Sequence, residues 1–189
     1  MINGEYLKAI RKERGITLAV LSRETGCTAS YLSQIERRLK EPSLPMLRKL
    51  SETLNIPMVS LLSSVNDNQQ PSKNSFFQVT LAEQRNVVIL PELETKSEIF
   101  TPINSSCSMK GTIYTTPPGK YSSEGMISHT YDECIFVLSG QTTVFIENEA
   151  VSLKGGDSIY IYAAAKHNFY NCGQDDLVIL AFSDSRIRQ

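Results

Sequence analysis

The chain has 189 residues, and its 19 Lys and Arg and 20 Asp and Glu give a net charge of −1. This length allows one or two domains that bury a substantial core, and the near-neutral balance makes the chain as a whole complementary to no particular partner. The charge is unevenly distributed. Residues 1–64 hold ten Lys and Arg against six Glu, a net charge of +4, whereas the remainder holds nine basic and fourteen acidic residues, a net charge of −5. This asymmetry indicates that only the front part meets a polyanion.

The cysteines and the apolar runs indicate in which cellular compartment the protein is expected. Cys27, Cys107, Cys134 and Cys172 show no CxxC spacing, which favours free thiols in a reducing cytosol. The N-terminus lacks a basic-then-apolar leader, and no apolar run approaches the roughly 20 residues that a membrane span requires. We therefore expect a soluble, cytoplasmic protein without a membrane partner.

Five short helices are predicted in the front part. The first covers about residues 4–14 and ends at Gly15. Ser43 is expected to cap a fourth helix, in which leucines recur at helical spacing, and Pro57 to start a short fifth helix that ends near Leu62. Five small helices in about 60 residues predict one compact all-α domain, which we place at residues 1–64.

The second and third helices lie between Gly15 and Pro42. Thr17 can cap the second helix, Gly26 can end it in the left-handed conformation, and Thr28 can cap the third. A helix, a Gly turn, a capped helix and a basic exit form the helix-turn-helix pattern, whose second helix enters the DNA major groove. A helical hairpin that only packs is the alternative reading.

The stretch TLAVLSRETGCTASYLSQIERRLKEPSLPMLRKLSETLNI resembles the phage-repressor (Cro/C1, or XRE) type of helix-turn-helix domain across residues 5–62. The resemblance implies that Ala29, Ser30 and Gln34 face base edges, with Gln34 the best hydrogen-bonding candidate. It also implies phosphate contacts, and the residues expected to make them are Thr17, Thr28, Arg37, Arg38 and Lys40. The family usually has Gly where this chain has Arg38. Either Arg38 adopts a positive φ, or the helix continues past it.

Residues 65–75, VNDNQQPSKNS, are polar and lack periodicity, so they predict a linker. The composition then changes. Short runs rich in β-branched and aromatic residues follow, namely FFQVTL, NVVIL, SEIFT, GTIYTT, ECIFVL, TTVFIEN, DSIYIY and LVILAF. Turn signals separate these runs, so residues 76–189 are predicted to form an all-β sandwich or barrel.

Two spacings in this part resemble the motifs of the cupin (double-stranded β-helix) fold over residues 76–183. The first is His129-x3-Glu133-x6-Gly140, and the second is Gly156 followed by His167-x3-Asn171. His129 and Glu133 have the same parity, so both can point into a barrel. Two imidazoles and one carboxylate suit zinc, iron, nickel or manganese and leave coordination positions open.

Ile127 stands where the family has a further histidine, which favours the alternative of a barrel that has lost its metal site. Against this alternative, both histidines of the chain occupy ligand positions. An effector pocket is predicted beside the triad, with Tyr114, Ile127, Tyr162 and Phe169 as its candidate lining. Tyr114, Phe136, Tyr160, Tyr162 and Phe169 are expected to be mostly core, although some of the five could line the pocket. Cys134 is also expected in the core, and Asn171 is expected to serve a turn.

As a whole, the chain resembles one-component XRE–cupin transcription regulators. The resemblance implies a homodimer that binds a double-stranded DNA operator and is modulated by a small effector, an amino acid or amine, with or without a metal. An iron-dependent phosphonate epoxidase with the same layout is the enzymatic alternative. The basic residues after the third helix and the absence of a Lys and Tyr cluster in the barrel stretch argue against it. An antitoxin-like DNA-binding protein with an inert barrel is the third reading.

Overall fold

The structure is a computed structural model, and it describes residues 2–56, 58–62, 77–90, 92–102 and 108–184. The described residues form a helical unit, which holds those up to residue 79 and Pro102, and a strand-rich unit, which holds residues 80–101 and those from residue 108. The predicted all-α front and all-β rear are therefore confirmed. The predicted linker at 65–75, the predicted helix start at Pro57 and Cys107 lie outside the described residues. In the part of the chain that the structure describes, no helix has the length and apolar character needed to cross a membrane.

The helical unit, called the head below, contains five helices as predicted. They are α1 (Gly4–Glu13), α2 (Leu18–Thr25), α3 (Ala29–Glu36), α4 (Leu44–Thr53) and α5 (Met58–Leu62). Thr17 accepts a hydrogen bond from the Val20 backbone N–H at 3.2 Å, and Thr28 accepts one from that of Tyr31 at 3.1 Å. Both predicted caps are confirmed, and Gly26 ends α2 with a φ of +71°.

Ser43 lies at the predicted cap position, but the predicted capping hydrogen bond of its side chain is wrong. Ser43 occupies the position before α4, but its side chain makes no capping hydrogen bond. Pro45 lies in the first turn of α4 and has no backbone N–H to donate. A capping hydroxyl accepts a hydrogen bond from the backbone N–H of the second or third helical residue, and Pro45 removes the first of these two donors.

Arg38 closes α3 in the left-handed conformation, with a φ of +59°. Its N–H donates to the Ile35 carbonyl at 2.9 Å, and the Leu39 N–H donates to the Gln34 carbonyl at 2.8 Å. This pair of hydrogen bonds is a Schellman ending, which usually carries glycine at the left-handed position. Of the two alternatives left open by the sequence, the structure shows the positive φ, and α3 stops at Glu36.

A residue with a Cβ atom is strained at positive φ, and glycine is not. Arg38→Gly is therefore expected to raise the free energy of unfolding of the head by about 1 kcal/mol. The measurement is urea unfolding followed by far-UV circular dichroism. Asn55→Gly is the matched control, because Asn55 closes α4 at a φ of +48°. Asparagine tolerates this conformation better than arginine, so the control should gain less. A loss of stability in Arg38→Gly would contradict the strain.

A buried ion pair joins α1 to α3. Arg11 Nε lies 2.6 Å from Glu36 Oε1, and Arg11 Nη2 lies 3.0 Å from Glu36 Oε2. Arg11 Nη1 also donates to the Ile16 carbonyl at 2.8 Å. The two helices approach closely nearby, since a Cβ atom on Gly4 would lie 2.5 Å from the Ile35 carbonyl oxygen. The pair therefore fixes the base of α3 within the head.

The strand-rich unit, called the barrel below, consists of two antiparallel sheets. Its strands are β1 (Asn86–Leu90), β2 (Thr95–Ile99), β3 (Met109–Thr116), β4 (Glu133–Ser139), β5 (Gln141–Ile146), β6 (Glu149–Lys154), β7 (Ser158–Ile161), β8 (His167–Asn171) and β9 (Leu177–Asp184). The larger sheet has the order β1-β2-β3-β9-β4-β7, and the smaller has the order β6-β5-β8. Val137 and Ile179 of the first sheet and Val144 and Phe169 of the second belong to one buried core.

Two strand predictions differ from the structure. The run FFQVTL was expected to be a strand, but residues 77–81 form none and lead into a 3₁₀ turn at Ala82–Gln84. Strand β6 was not predicted, because its sequence EAVSLK lacks strong alternation and five of its six residues are exposed. An edge strand with few buried side chains carries a weak periodic signal.

Several residues expected in the core lie on the outside of the larger sheet. In β4, Ile135 and Val137 point inward, so the alternating Cys134 and Phe136 point outward, and both are exposed. Tyr160 and Tyr162 are also exposed. The core assignment of these four residues is therefore wrong, although Cys134 does alternate away from Glu133 as predicted.

Candidate functional site

Helix α3 has a buried side and an open side. Leu32 and Ile35 are fully buried in the core of the head. Ser30 is exposed, and Ala29 and Gln34 are half-buried. The three residues predicted to face base edges thus remain accessible on a helix whose other side is fixed by packing.

The residues predicted to meet phosphates are accessible at both ends of the helix-turn-helix. Thr17 and Thr28 are exposed at the helix starts, where their oxygens accept cap hydrogen bonds and their O–H groups remain available as donors. Arg37, Arg38 and Lys40 are exposed beyond the end of α3. Arg37 Nε donates to the Ser33 carbonyl at 3.2 Å, which holds its guanidinium against the helix end.

In the barrel, the structure brings the three predicted metal ligands together. His129 Nε2 lies 3.3 Å and His167 Nε2 lies 3.5 Å from Glu133 Oε2. The ligand atoms of these three side chains all lie within 4.8 Å of one another. Two ligands about 2.1 Å from a tetrahedral metal lie roughly 3.4 Å apart, which is close to the two measured separations. Each of the three side chains is at least half-buried.

The hydrogen bonds of the imidazoles turn both Nε2 atoms toward Glu133. His129 Nδ1 lies 3.1 Å from the Tyr131 carbonyl oxygen, and His167 Nδ1 lies 2.9 Å from that of Ala165. Because a carbonyl oxygen only accepts, both Nδ1 atoms carry a proton, and each Nε2 faces the Glu133 carboxylate. A metal cation between the three side chains would be held by both Nε2 atoms and by the carboxylate. His167 Nε2 is buried without a hydrogen bond, as a metal ligand would be.

The electrostatics favour an ionised carboxylate in this site. Burial raises the pKa of Glu133, but the interactions of its carboxylate with His129 and His167 outweigh burial and lower the pKa to about 2. Burial raises the pKa of Tyr114 and of Tyr131 above the usual tyrosine value, and the nearby Glu133 adds to both shifts. Both phenols therefore remain neutral beside a charged carboxylate.

Three of the four predicted pocket residues lie around the triad. The backbone of Ile127 pairs with that of His167 through hydrogen bonds of 2.9 and 2.8 Å. The ring of Phe169 lies 6.0 Å from the His167 ring, and Tyr114 is near enough to Glu133 for the carboxylate charge to raise the pKa of its phenol. Tyr162 lies apart from them, because its side chain is 73 % exposed and packs against Tyr160.

Tyr131 belongs to the site but was not predicted. Its ring stacks on that of His129 at 4.1 Å and 7°, and its carbonyl accepts the His129 Nδ1 proton. His129 precedes β4 instead of lying on it, so these contacts orient the imidazole in place of strand parity. The only available sequence signal was the position of an aromatic residue two residues from a ligand.

Asn171 serves the turn, as expected. Its Nδ2 donates to the carbonyls of Thr116 and Asp175 at 2.8 and 2.9 Å, and its Oδ1 accepts from the Gly173 N–H at 3.0 Å. These bonds hold the end of β8, the strand that begins with His167.

Comparisons with known proteins agree with this division of the chain. Residues 7–61 match the helix-turn-helix family model, and residues 112–183 match the cupin domain model. The HTH-type transcriptional regulator SutR of Escherichia coli strain K12 is 26% identical over 168 residues, which cover 89% of this chain and 86% of SutR.

Two solved structures share the fold over nearly the whole chain. An HTH_3 family transcriptional regulator from Vibrio cholerae superposes with a TM-score of 0.64 at 22% identity, covering 98% of this chain and 96% of that one. FeII HppE superposes with a TM-score of 0.50 at 16% identity, covering 95% and 96%. Identities this low show the fold alone.

The two domain matches define a chain in which a helix-turn-helix head precedes a cupin barrel. Over most of its length, this chain is similar to the HTH-type transcriptional regulator SutR.

Proposed function

We propose that the chain is a cytoplasmic, homodimeric one-component regulator whose head reads an operator and whose barrel controls that reading. Its domains are residues 1–64 and 76–189, joined by a linker at 65–75. The observation that carries the proposal is the pairing of an open recognition helix with a preorganised His-Glu-His group in one chain. A sensor needs both a readout and a ligand site, and the two groups supply them.

In the head, Ala29, Ser30 and Gln34 face the major groove. The Gln34 amide can bond adenine through two points, because it offers one donor and one acceptor side by side. Thr17, Thr28, Arg37, Arg38 and Lys40 contact phosphates and set the register of the helix.

Gln34→Ala should reduce discrimination at one base position by about 1–3 kcal/mol, because the two-point contact is lost. Arg37→Ala should weaken binding to all sequences alike and lower the slope of log K against log salt by about 1. The measurement is fluorescence anisotropy on operator and single-base variants at several salt concentrations. Lys154→Ala on the barrel is the control, since Lys154 is exposed there. If Gln34→Ala keeps the parental base preference, the assignment of the recognition helix is wrong.

In the barrel, His129, Glu133 and His167 would hold one divalent transition metal, with zinc, iron, nickel and manganese as candidates. When bound, the metal would act as a Lewis acid that accepts a donor group of an effector at its open positions. Ile127, Tyr114 and Phe169 supply apolar and aromatic wall around that position. An amino acid or a related amine would offer a carboxylate or an amino group to the metal and a side chain to the wall.

Control of DNA binding would follow from a population shift. Each head of a homodimer reads one half-site, so the heads must lie about 34 Å apart or a multiple of that distance. A ligand that favours one dimer arrangement changes this spacing and therefore the operator affinity.

The test compares operator affinity of the metal-loaded and the chelator-treated chain, each with and without candidate amino acids and amines. We expect at least a roughly fivefold change, the lower end of ordinary coupling energies. The reciprocal experiment checks it, because operator DNA must then shift the affinity for the ligand by the same factor. Identical operator affinity in all states would support the inert-barrel reading instead.

Iron-dependent oxidation is the second candidate. It is favoured by the triad type, which suits non-haem iron, and by the fold shared with FeII HppE. We rank it below regulation, because SutR, similar over most of both chains, is named as a transcriptional regulator. Substrate-dependent oxygen uptake by the Fe(II)-loaded chain, with a phosphonate as the first substrate tested, would reverse this order.

A further inference from the structure

The outside of the larger sheet carries a continuous apolar surface near β4, β7 and β9. Its main side chains are Phe136, Leu138, Tyr160, Tyr162, Leu180 and Phe182, and we call them the outer sheet face. Strand alternation places these residues opposite the buried core positions Ile135, Val137 and Ile179. The face thus results from the alternation of side chains along the strands.

The strand register makes these side chains neighbours. Phe136 pairs with Leu180 across β4 and β9, and Cys134 is flanked by Tyr160 on one side and Phe182 on the other. The ring of Tyr162 lies 5.3 Å from that of Tyr160. Leu138 and Tyr162 are 55% and 73% exposed, so the face meets solvent in a single chain. A contiguous apolar patch of this kind marks an interaction site.

The chemistry of the face excludes nucleic acid as its occupant, since none of the six residues is charged. On the same side of the sheet, Lys96 Nζ lies 2.5 Å from Glu98 Oε1, and the Asp132 carboxylate accepts a hydrogen bond from the Tyr160 hydroxyl. A face formed by uncharged side chains can pack on a copy of itself. This suits an isologous two-fold contact, in which the same patch is used by both partners.

The size of the sheet also suits a dimer. Six strands spaced by about 4.8 Å make the whole sheet roughly 24 Å wide, and its strands of four to eight residues are about 13–26 Å long. The projected area of the whole sheet is then roughly 300–600 Å². Side chains standing on the sheet raise the accessible area toward the roughly 800 Å² per partner of a standard interface.

We propose that the outer sheet face binds the same face of a second copy of this chain, with the two sheets packed face to face. The inference rests on the homodimer of the proposed function, and it assigns the surface that joins the two copies. The DNA-reading role points to this occupant, because an operator read by helix-turn-helix heads requires two of them in fixed relation.

The test is sedimentation equilibrium of the full chain, whose mass of 21.1 kDa should double in the parent. Leu138→Lys with Tyr162→Lys should raise the dimer dissociation constant at least about 100-fold, because two ammonium groups per chain would enter an apolar contact. Met126→Lys is the matched control, since Met126 is exposed elsewhere on the barrel and its substitution should leave the dimer intact.

Each outcome decides. A monomeric parent overturns the homodimer and the face together, whereas a dimeric parent with an equally dimeric double variant overturns the face alone. If the double variant fails to unfold cooperatively, Tyr162→Lys decides, because the Tyr162 side chain is 73% exposed and its replacement leaves the core intact. Monomeric variants should keep parental affinity for an isolated half-site and lose at least about tenfold on the full operator.

Discussion

Replacing Glu36 with alanine is expected to lower the free energy of unfolding of the head by about 3–5 kcal/mol. Arg11 would then keep its charge in a buried position. Its two hydrogen bonds to Glu36 would be lost, and the one to the Ile16 carbonyl would remain. A buried guanidinium without its carboxylate is costly, because the low-dielectric interior does not solvate it. Urea unfolding followed by circular dichroism at a helix-sensitive wavelength measures the loss.

The matched control is Glu24→Ala in the pair between Arg23 and Glu24, whose separation is 3.2 Å and whose side chains are 74% and 51% exposed. An exposed pair of this kind is worth less than about 1 kcal/mol. Arg11→Met combined with Glu36→Leu should recover most of the stability lost in Glu36→Ala, because no unpaired charge remains buried. Equal effects of Glu36→Ala and Glu24→Ala would contradict the role assigned to the buried pair.

The consequence for DNA binding follows from the position of the pair. Glu36 is the last residue of α3, and Gln34 lies two residues before it. A shift of the C-terminal end of α3 would therefore displace the helix that presents Gln34. We expect Glu36→Ala to lose operator affinity and stability together, whereas Gln34→Ala should lose base preference with its stability unchanged.

Local chemistry explains what could be predicted from the sequence. Thr17 and Thr28 cap their helices through hydrogen bonds that span three residues, and Gly26 ends a helix through its own φ. Such features depend on neighbours in the chain, so a sequence shows them directly. The metal triad could be predicted for a different reason, namely that its spacing resembles a known motif.

The features that were not predicted depend on contacts between distant parts of the chain. Arg11 and Glu36 lie 25 residues apart, and nothing in either segment marks them as buried partners. Alternation in β4 separates Phe136 from Ile135 but does not say which side of the sheet is covered. Tyr131 shows the same limit, because its stacking on His129 depends on an irregular segment with no periodic signal.

Loss of metal binding is the expected result of His167→Ala, with affinity reduced at least about 100-fold. His167 is fully buried, and its Nε2 has no hydrogen bond that would give it another role. Isothermal titration with Zn²⁺ and the visible spectrum of bound Co²⁺ measure the affinity and the ligand set. Metal at 100 times its dissociation constant should stabilise the parent by about 2.7 kcal/mol, and His167→Ala should lose that stabilisation.

Two further variants give the experiment a graded scale. Tyr131→Leu removes the ring stacked on His129 but keeps the carbonyl that holds Nδ1, so a loss of about tenfold is expected. Lys166→Ala changes an exposed neighbour of His167 and should bind metal like the parent. Cooperative thermal unfolding of each metal-free variant separates a lost ligand from a damaged barrel. A parent that binds none of zinc, iron, nickel or manganese, or a folded His167→Ala that binds as tightly as the parent, would refute the assignment of His129, Glu133 and His167 as a metal site.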